Sequence, residues 1–139
     1  MAHPPRTANA GTFFITAITY NRRRLFQVDA NAALLLETLQ HYRTEGLYRL
    51  HAFVIMPDHM HLLLTTEDLT KAIQHIKGGF SRRLSSRLPV WQRGFTDHLV
   101  ENREQFLIRR NYIHQNPIRQ RLVEHAHQYA HSSAFRLNP

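Results

Sequence analysis

Apolar positions recur along this chain with two different periods, and the switches between them outline a fold. Thr12 to Tyr20 is rich in β-branched and aromatic residues, which predicts a first strand closed by the basic turn Asn21 to Arg24. From Val28 the period lengthens. Ala32, Leu35, Leu36, Leu39 and Tyr42 fall on one face of a helix that ends near Gly46. Tyr48 to Met56 is largely apolar on both faces and predicts a strand central in its sheet. His59 to Thr66 predicts the next strand, and the short link Pro57 and Asp58 requires an antiparallel hairpin between the two.

Asp68 to about Leu88 predicts a second long helix that buries Leu69, Ala72, Ile73, Ile76, Phe80 and Leu84, interrupted by Gly78 and Gly79 and stopped by Pro89. Val90 to Val100 predicts a fourth strand around Gly94. Asn102 followed by Gln105 has the spacing of a capping box and opens a helix through Phe106, Tyr112 and Ile113, which Pro117 limits. The order strand, helix, strand, strand, helix, strand, helix predicts an α+β domain. It is a ferredoxin-like βαββαβ sandwich: a four-stranded antiparallel sheet, two helices on one face, and an additional C-terminal helix. Residues 1–11 read as a flexible arm, and 12–139 as a single domain with a His-rich tail.

Composition narrows the chemistry. With no cysteine among 139 residues, disulfides, thiolate metal sites and thiol nucleophiles are excluded. Eighteen Lys and Arg against ten Asp and Glu give a net charge of +8, which points to a polyanionic partner, nucleic acid first. Candidate phosphate contacts are Arg6 in the arm, Arg22, Arg23 and Arg24 in the first turn, Lys77, Arg82, Arg83 and Arg87 on the second helix, and Arg93 beyond it. No apolar run is long enough to span a bilayer or to serve as a signal peptide, so the expectation is a soluble protein of the cytoplasm and nucleoid.

His59 and His61 are the candidate chemistry. Two residues apart in a strand, they share one face while Met60, Leu62 and Leu64 take the other. Packing alone gives no reason for two adjacent imidazoles there, and a divalent metal does. Two imidazoles are an incomplete site for a metal that acts on phosphate. Tyr112 and Asn116, at i and i+4 on the last helix, offer a phenol and an amide oxygen from one helical face. Tyrosine can be a covalent nucleophile, and a metal on a non-bridging phosphate oxygen lowers the cost of developing charge. The remaining histidines, among them His51, His75, His98, His114, His125, His127 and His131, are expected to be exposed or locally hydrogen-bonded.

Two segments together resemble a known group. Phe53 to Leu63 and Tyr112 to Ile118 are similar to the paired signatures of single-tyrosine HUH transposases. Ile76 to Arg83 and Tyr129 to Ser133 are similar to the REP-associated tyrosine transposases in particular, and the resemblance runs from Thr12 to Ser133. It implies His59, His61 and Asn116 as ligands of Mg²⁺ or Mn²⁺, and Tyr112 as the nucleophile. It further implies a single-stranded hairpin DNA as substrate, with a 5′-phosphotyrosine and a free 3′-OH as products. One departure stands out: Arg121 occupies a position where the group often has glycine. No second tyrosine follows Tyr112 at i+3 or i+4, which argues against two-tyrosine replication initiators. A hairpin or RNA binder without cleavage, and a single-tyrosine nicking enzyme of replication or conjugation, remain alternatives at this level. So do a monomer or a homodimer, and attack by Tyr112 in its own subunit or a partner's.

Overall fold

The hairpin expected around Pro57 and Asp58 is present, joining β2 (Arg49–Met56) to β3 (His59–Thr66) with Met56 opposite His59. It belongs to a computed structural model that describes residues 9–136; Arg6 and most of the N-terminal arm lie outside the described residues. The other elements are β1 (Gly11–Ile18), α1 (Asp29–Thr44), α2 (Leu69–Leu84), β4 (Thr96–Leu99) and α3 (Arg103–Arg119), with short 3-10 turns between them. The sheet order is β2-β3-β1-β4 and every pairing is antiparallel. Each crossover helix therefore skips one strand, α1 over β3 and α2 over β1, which is the ferredoxin-like topology expected.

Alternation along the strands divides the core in two. Phe13, Ile15 and Ala17 of β1 and Met60, Leu62 and Leu64 of β3 are buried with Leu35, Leu39, Ile73, Ile76 and Phe80 of α1 and α2. Phe14, Ala52, Val54, Met56 and Leu63 face the other way and are buried with Ile113 of α3. Asn102 caps α3 through Oδ1, which accepts from the Gln105 backbone N–H at 2.9 Å, while Gln105 Oε1 accepts from the Glu101 N–H at 2.8 Å. Asp68 caps α2 in the same way through the Lys71 N–H. The glycine pair within α2 does not break it. A Cβ on Gly79 would lie 2.7 Å from the Tyr42 ring, so glycine here is what lets α1 and α2 approach.

Four expectations need correction. β2 is not central but the end strand of the sheet. It is apolar on both faces because a helical layer covers each, and its outer edge is closed by the chain's own C-terminal segment. The Ile55 N–H donates to the His131 carbonyl at 2.8 Å, the Phe53 N–H to Ser133 Oγ at 3.0 Å, and the Tyr129 hydroxyl to the Ile55 carbonyl at 2.7 Å. α2 ends at Leu84 rather than near Leu88, because Ser85 turns into the left-handed region at φ 53° before Pro89 is reached. β4 is only four residues long. The stretch before it is held irregularly, Trp91 Nε1 donating to the Lys77 carbonyl and the Gln92 N–H to the Ile18 carbonyl.

The fourth concerns Pro117, which does not end α3 but sits inside it, with the helix running on to Arg119. Proline lacks the N–H that would reach back to the Ile113 carbonyl, so the helix forgoes that one bond and continues. Termination comes from Arg121 at φ 58°. Its N–H reaches the Ile118 carbonyl at 2.9 Å and the Leu122 N–H reaches the Pro117 carbonyl at 2.9 Å. This is a Schellman closure with arginine in the left-handed position that glycine usually fills.

Candidate active site

β3 carries His59 and His61 on the sheet face that α3 covers, and each ring is held through Nδ1. Register puts Thr16 of β1 opposite His61, and its Oγ1 lies 2.8 Å from His61 Nδ1. Asp58 Oδ1 lies 2.6 Å from His59 Nδ1, and Asp58 Oδ2 lies 3.3 Å from Arg22 Nη1. Burial opposes ionisation of Asp58, but the contacts to His59 and Arg22 outweigh it and hold the carboxyl below its usual range. Arg22 reaches it from a turn in which Asn21 (φ 54°) and Arg22 (φ 51°) are both left-handed, a costly arrangement for residues with side chains.

With Nδ1 engaged on both rings, Nε2 is the nitrogen each can offer a ligand. The two ring centres are 4.8 Å apart and steeply inclined. Burial, then the neighbouring His59 and the Arg119 charge, push the His61 pKa down to about 3, so this ring is neutral and keeps a free lone pair at physiological pH.

Tyr112 rises from α3 beside these rings and is 40 % exposed. Phe14 of β1 organises the cluster. Its ring stacks on His61 at 5.3 Å between centres and meets Tyr112 edge-on at 5.7 Å. Tyr112 in turn lies 5.5 Å from His61, nearly perpendicular to it. His98 of β4 stacks on Phe14 at 6.2 Å and the Arg109 guanidinium sits 4.6 Å from the Phe14 ring centre. Arg119 lies 4.2 Å over the Tyr112 ring and donates from Nη2 to the Tyr112 carbonyl at 2.8 Å. Asn116, one turn beyond Tyr112, is buried to 4 % beside Ile113 on the side of α3 that faces the sheet.

The donor set suits a catalytic cation rather than a structural one. Among the described residues no three side chains of His, Cys, Asp and Glu converge. Two imidazole nitrogens and the Asn116 amide oxygen would leave the rest of an octahedral shell to water or substrate oxygens, the open arrangement that metal-assisted phosphate chemistry needs.

The basic candidates divide. Arg22 adjoins the histidines through Asp58. Arg23 donates to the Pro89 carbonyl, Arg24 to Gln27, and Lys77 to the Gln92 and Gly94 carbonyls, so each of these is tied to its own chain. Arg82 bonds the Tyr42 hydroxyl and Arg83 lies over the Tyr42 ring. Both belong to α2, in the layer across the sheet from Tyr112, and Arg87 and Arg93 are exposed. His51 bonds Thr65, His75 the Lys71 carbonyl, His114 Ser133 and His131 Asp29.

Five participants have no place in the sequence expectation. Arg109 and Arg119 had a readable signal, since i−3 and i+7 from Tyr112 fall near one helical face. Asp58 directly precedes His59 but reads as part of a turn. Thr16 and Phe14 become visible only once the register of β1 against β3 is known.

A family model described as "Transposase IS200 like" matches residues 9–116. A Haemophilus influenzae protein provisionally named a REP-associated tyrosine transposase is 25% identical over 146 residues, covering 91% of this chain and 81% of that protein. Among solved structures, a REP-associated tyrosine transposase bound to a REP hairpin superposes with a TM-score of 0.87 at 23% identity, over 98% of this chain and 84% of the other. A protein from Deinococcus radiodurans, provisionally named a transposase, gives a TM-score of 0.57 at 21% identity, over 86% of this chain and 97% of the other. The four-stranded α+β fold is thus shared with the two solved structures.

Proposed function

Because the chain belongs to the IS200-like transposase family, we propose that it is a metal-dependent single-stranded DNA endonuclease and strand transferase of the REP-associated type. Its substrate is a hairpin DNA and its intermediate a covalent 5′-phosphotyrosine. The observation that carries this reading is the convergence of a half-exposed Tyr112 from α3 on the paired histidines of β3. A protein that only bound DNA would have no use for a nucleophile beside two lone-pair nitrogens.

Each residue has a part that its surroundings support. Tyr112, held edge-on against Phe14 and His61, presents its hydroxyl where a strand can reach it. The phenol oxygen attacks the scissile phosphorus, the bond from phosphorus to the 3′-oxygen breaks, and the departing strand end keeps a free 3′-OH. Bond energy is retained in the tyrosyl phosphodiester, so a second 3′-OH can reverse the step and exchange strands. His59, His61 and Asn116 would hold Mg²⁺ or Mn²⁺. When bound, the cation supplies charge neutralisation at a non-bridging phosphate oxygen. Asp58 and Thr16 engage Nδ1 of the two imidazoles, which would leave Nε2 of each for such a cation. Among the described residues no helix is long and apolar enough to cross a membrane, and action on chromosomal hairpins would place the protein at the nucleoid.

The test is an incubation with REP-type hairpin DNA carrying a single-stranded flank and Mn²⁺, followed by denaturing electrophoresis. Wild type is expected to give a covalent protein–DNA band that EDTA abolishes and Tyr112→Phe lacks, while Tyr112→Phe still binds the hairpin. A band of equal strength from Tyr112→Phe would remove the nucleophile assignment.

A further inference from the structure

We infer that Arg119 is a catalytic residue of strand cleavage and rejoining, the fixed cation that meets the phosphoryl group and the phenol oxygen as Tyr112 attacks. This rests on the reading of Tyr112 as nucleophile. Arg119 is the last residue of α3, two helical turns beyond Tyr112, and the reversal at Arg121 follows at once. Its guanidinium lies 4.2 Å over the phenol ring and is anchored by the 2.8 Å bond to the Tyr112 carbonyl. Only Nη2 is engaged there, so further N–H donors remain for a phosphate.

The placement of the arginines decides the assignment. Attack of a phenol on a phosphodiester gathers negative charge on the phosphoryl oxygens while the phenol gives up its proton. Arg109 faces Phe14 rather than the tyrosine, and Arg22 is paired with Asp58. Among the described residues Arg119 is thus the side-chain cation seated against the Tyr112 ring. A helix-end arginine also complements the helix dipole, but that role requires no contact with the ring of Tyr112.

In the forward step the Tyr112 Oη to phosphorus bond forms and the phosphorus to O3′ bond breaks. The phenol proton passes to water, the 3′-oxygen takes a proton from water, and Arg119 stays protonated throughout. In reverse, a 3′-OH displaces the phenolate, so the same cation favours the departing phenolate. One group therefore serves both directions.

The experiment is single-turnover adduct formation at saturating hairpin DNA with Mn²⁺, together with rejoining from the preformed adduct. Arg119→Ala is expected to slow both by about 100-fold or more, with hairpin affinity within about threefold of wild type. Arg119→Lys should recover part of the loss, and added guanidinium should partly rescue Arg119→Ala. Thermal denaturation of Arg119→Lys and Arg119→Gln separates chemistry from folding, since both keep the side-chain stem. Cleavage by Arg119→Ala within twofold of a reactive wild type overturns the inference alone, and so does a loss confined to affinity. Absence of any wild-type adduct overturns the functional reading and this inference with it.

Discussion

Tyr112 and His61 meet nearly edge-on with 5.5 Å between ring centres, and Phe14 lies against both. The proposed nucleophile and one candidate ligand are therefore positioned by the same strand-borne ring. Phe14→Leu keeps the apolar volume but removes the stacked surface. It should cost about 1–2 kcal/mol in stability and lower the adduct rate at least about tenfold. Denaturation curves and single-turnover cleavage measure the two effects separately. An unchanged rate would reduce Phe14 to packing.

Asp58 should act through His59. With its carboxylate 2.6 Å from His59 Nδ1, it fixes which nitrogen carries the proton. Asp58→Asn is expected to weaken Mn²⁺ binding roughly 10–100-fold, measured by calorimetric titration without DNA. Equal affinity in the two proteins would show that His59 needs no such anchor.

Stability should fall on both sides of neutrality for identifiable reasons. Burial first, then the neighbouring charges, put the folded His61 pKa at about 3 against an ordinary 6.5. Between these values the unfolded chain takes up a proton that the fold refuses, so stability is full above pH 6.5 and declines as pH drops toward 3. His51 and His114, also lowered chiefly by burial, act with the same sign. Burial, with Asp29 adding to it, raises Tyr129 from 10.0 to about 12. Its contribution is complete below pH 10 and disappears as pH rises through 12. Urea titrations across pH should show a plateau between these limbs. Tyr48, also raised chiefly by burial, acts with the same sign as Tyr129, so His61→Gln should make the acid limb shallower and Tyr129→Phe the alkaline one, and slopes unchanged in both variants would contradict the assignment.

Arg121→Gly should stabilise the protein. The left-handed backbone at φ 58° costs a residue with a side chain about 1 kcal/mol relative to glycine, partly offset by the greater freedom of glycine in the unfolded chain. A net gain of about 0.5 kcal/mol is expected, read as a higher denaturation midpoint with cleavage retained. A loss of stability would mean that the Arg121 side chain does more than the backbone geometry shows.

The fold was legible because the periods in the sequence are clean: the alternation of Met60, Leu62 and Leu64 against His59 and His61 is the alternation found. The convergence of Tyr112 with His61 was legible from spacing and motif together. What escaped depended on long-range pairing. Tyr48 to Met56 reads as a central strand because its residues are largely apolar on both faces, and nothing local reveals that residues near 131 close its edge. Thr16 looks like any strand threonine until register sets it opposite His61. The basic face of α2 was readable as charge, but periodicity cannot say on which side of a sheet a helix docks.

The closed edge of β2 has a consequence for how the protein is made. Synthesis runs from β1 onward, so the segment that pairs with Phe53, Val54 and Ile55 leaves the ribosome well after β2 itself. Until residues 129–133 emerge, β2 offers an unpaired row of amides and carbonyls to any neighbouring chain. A stalled or truncated product lacking that short stretch would keep His59, His61, Asn116 and Tyr112 and still be the form most exposed to clumping with its siblings.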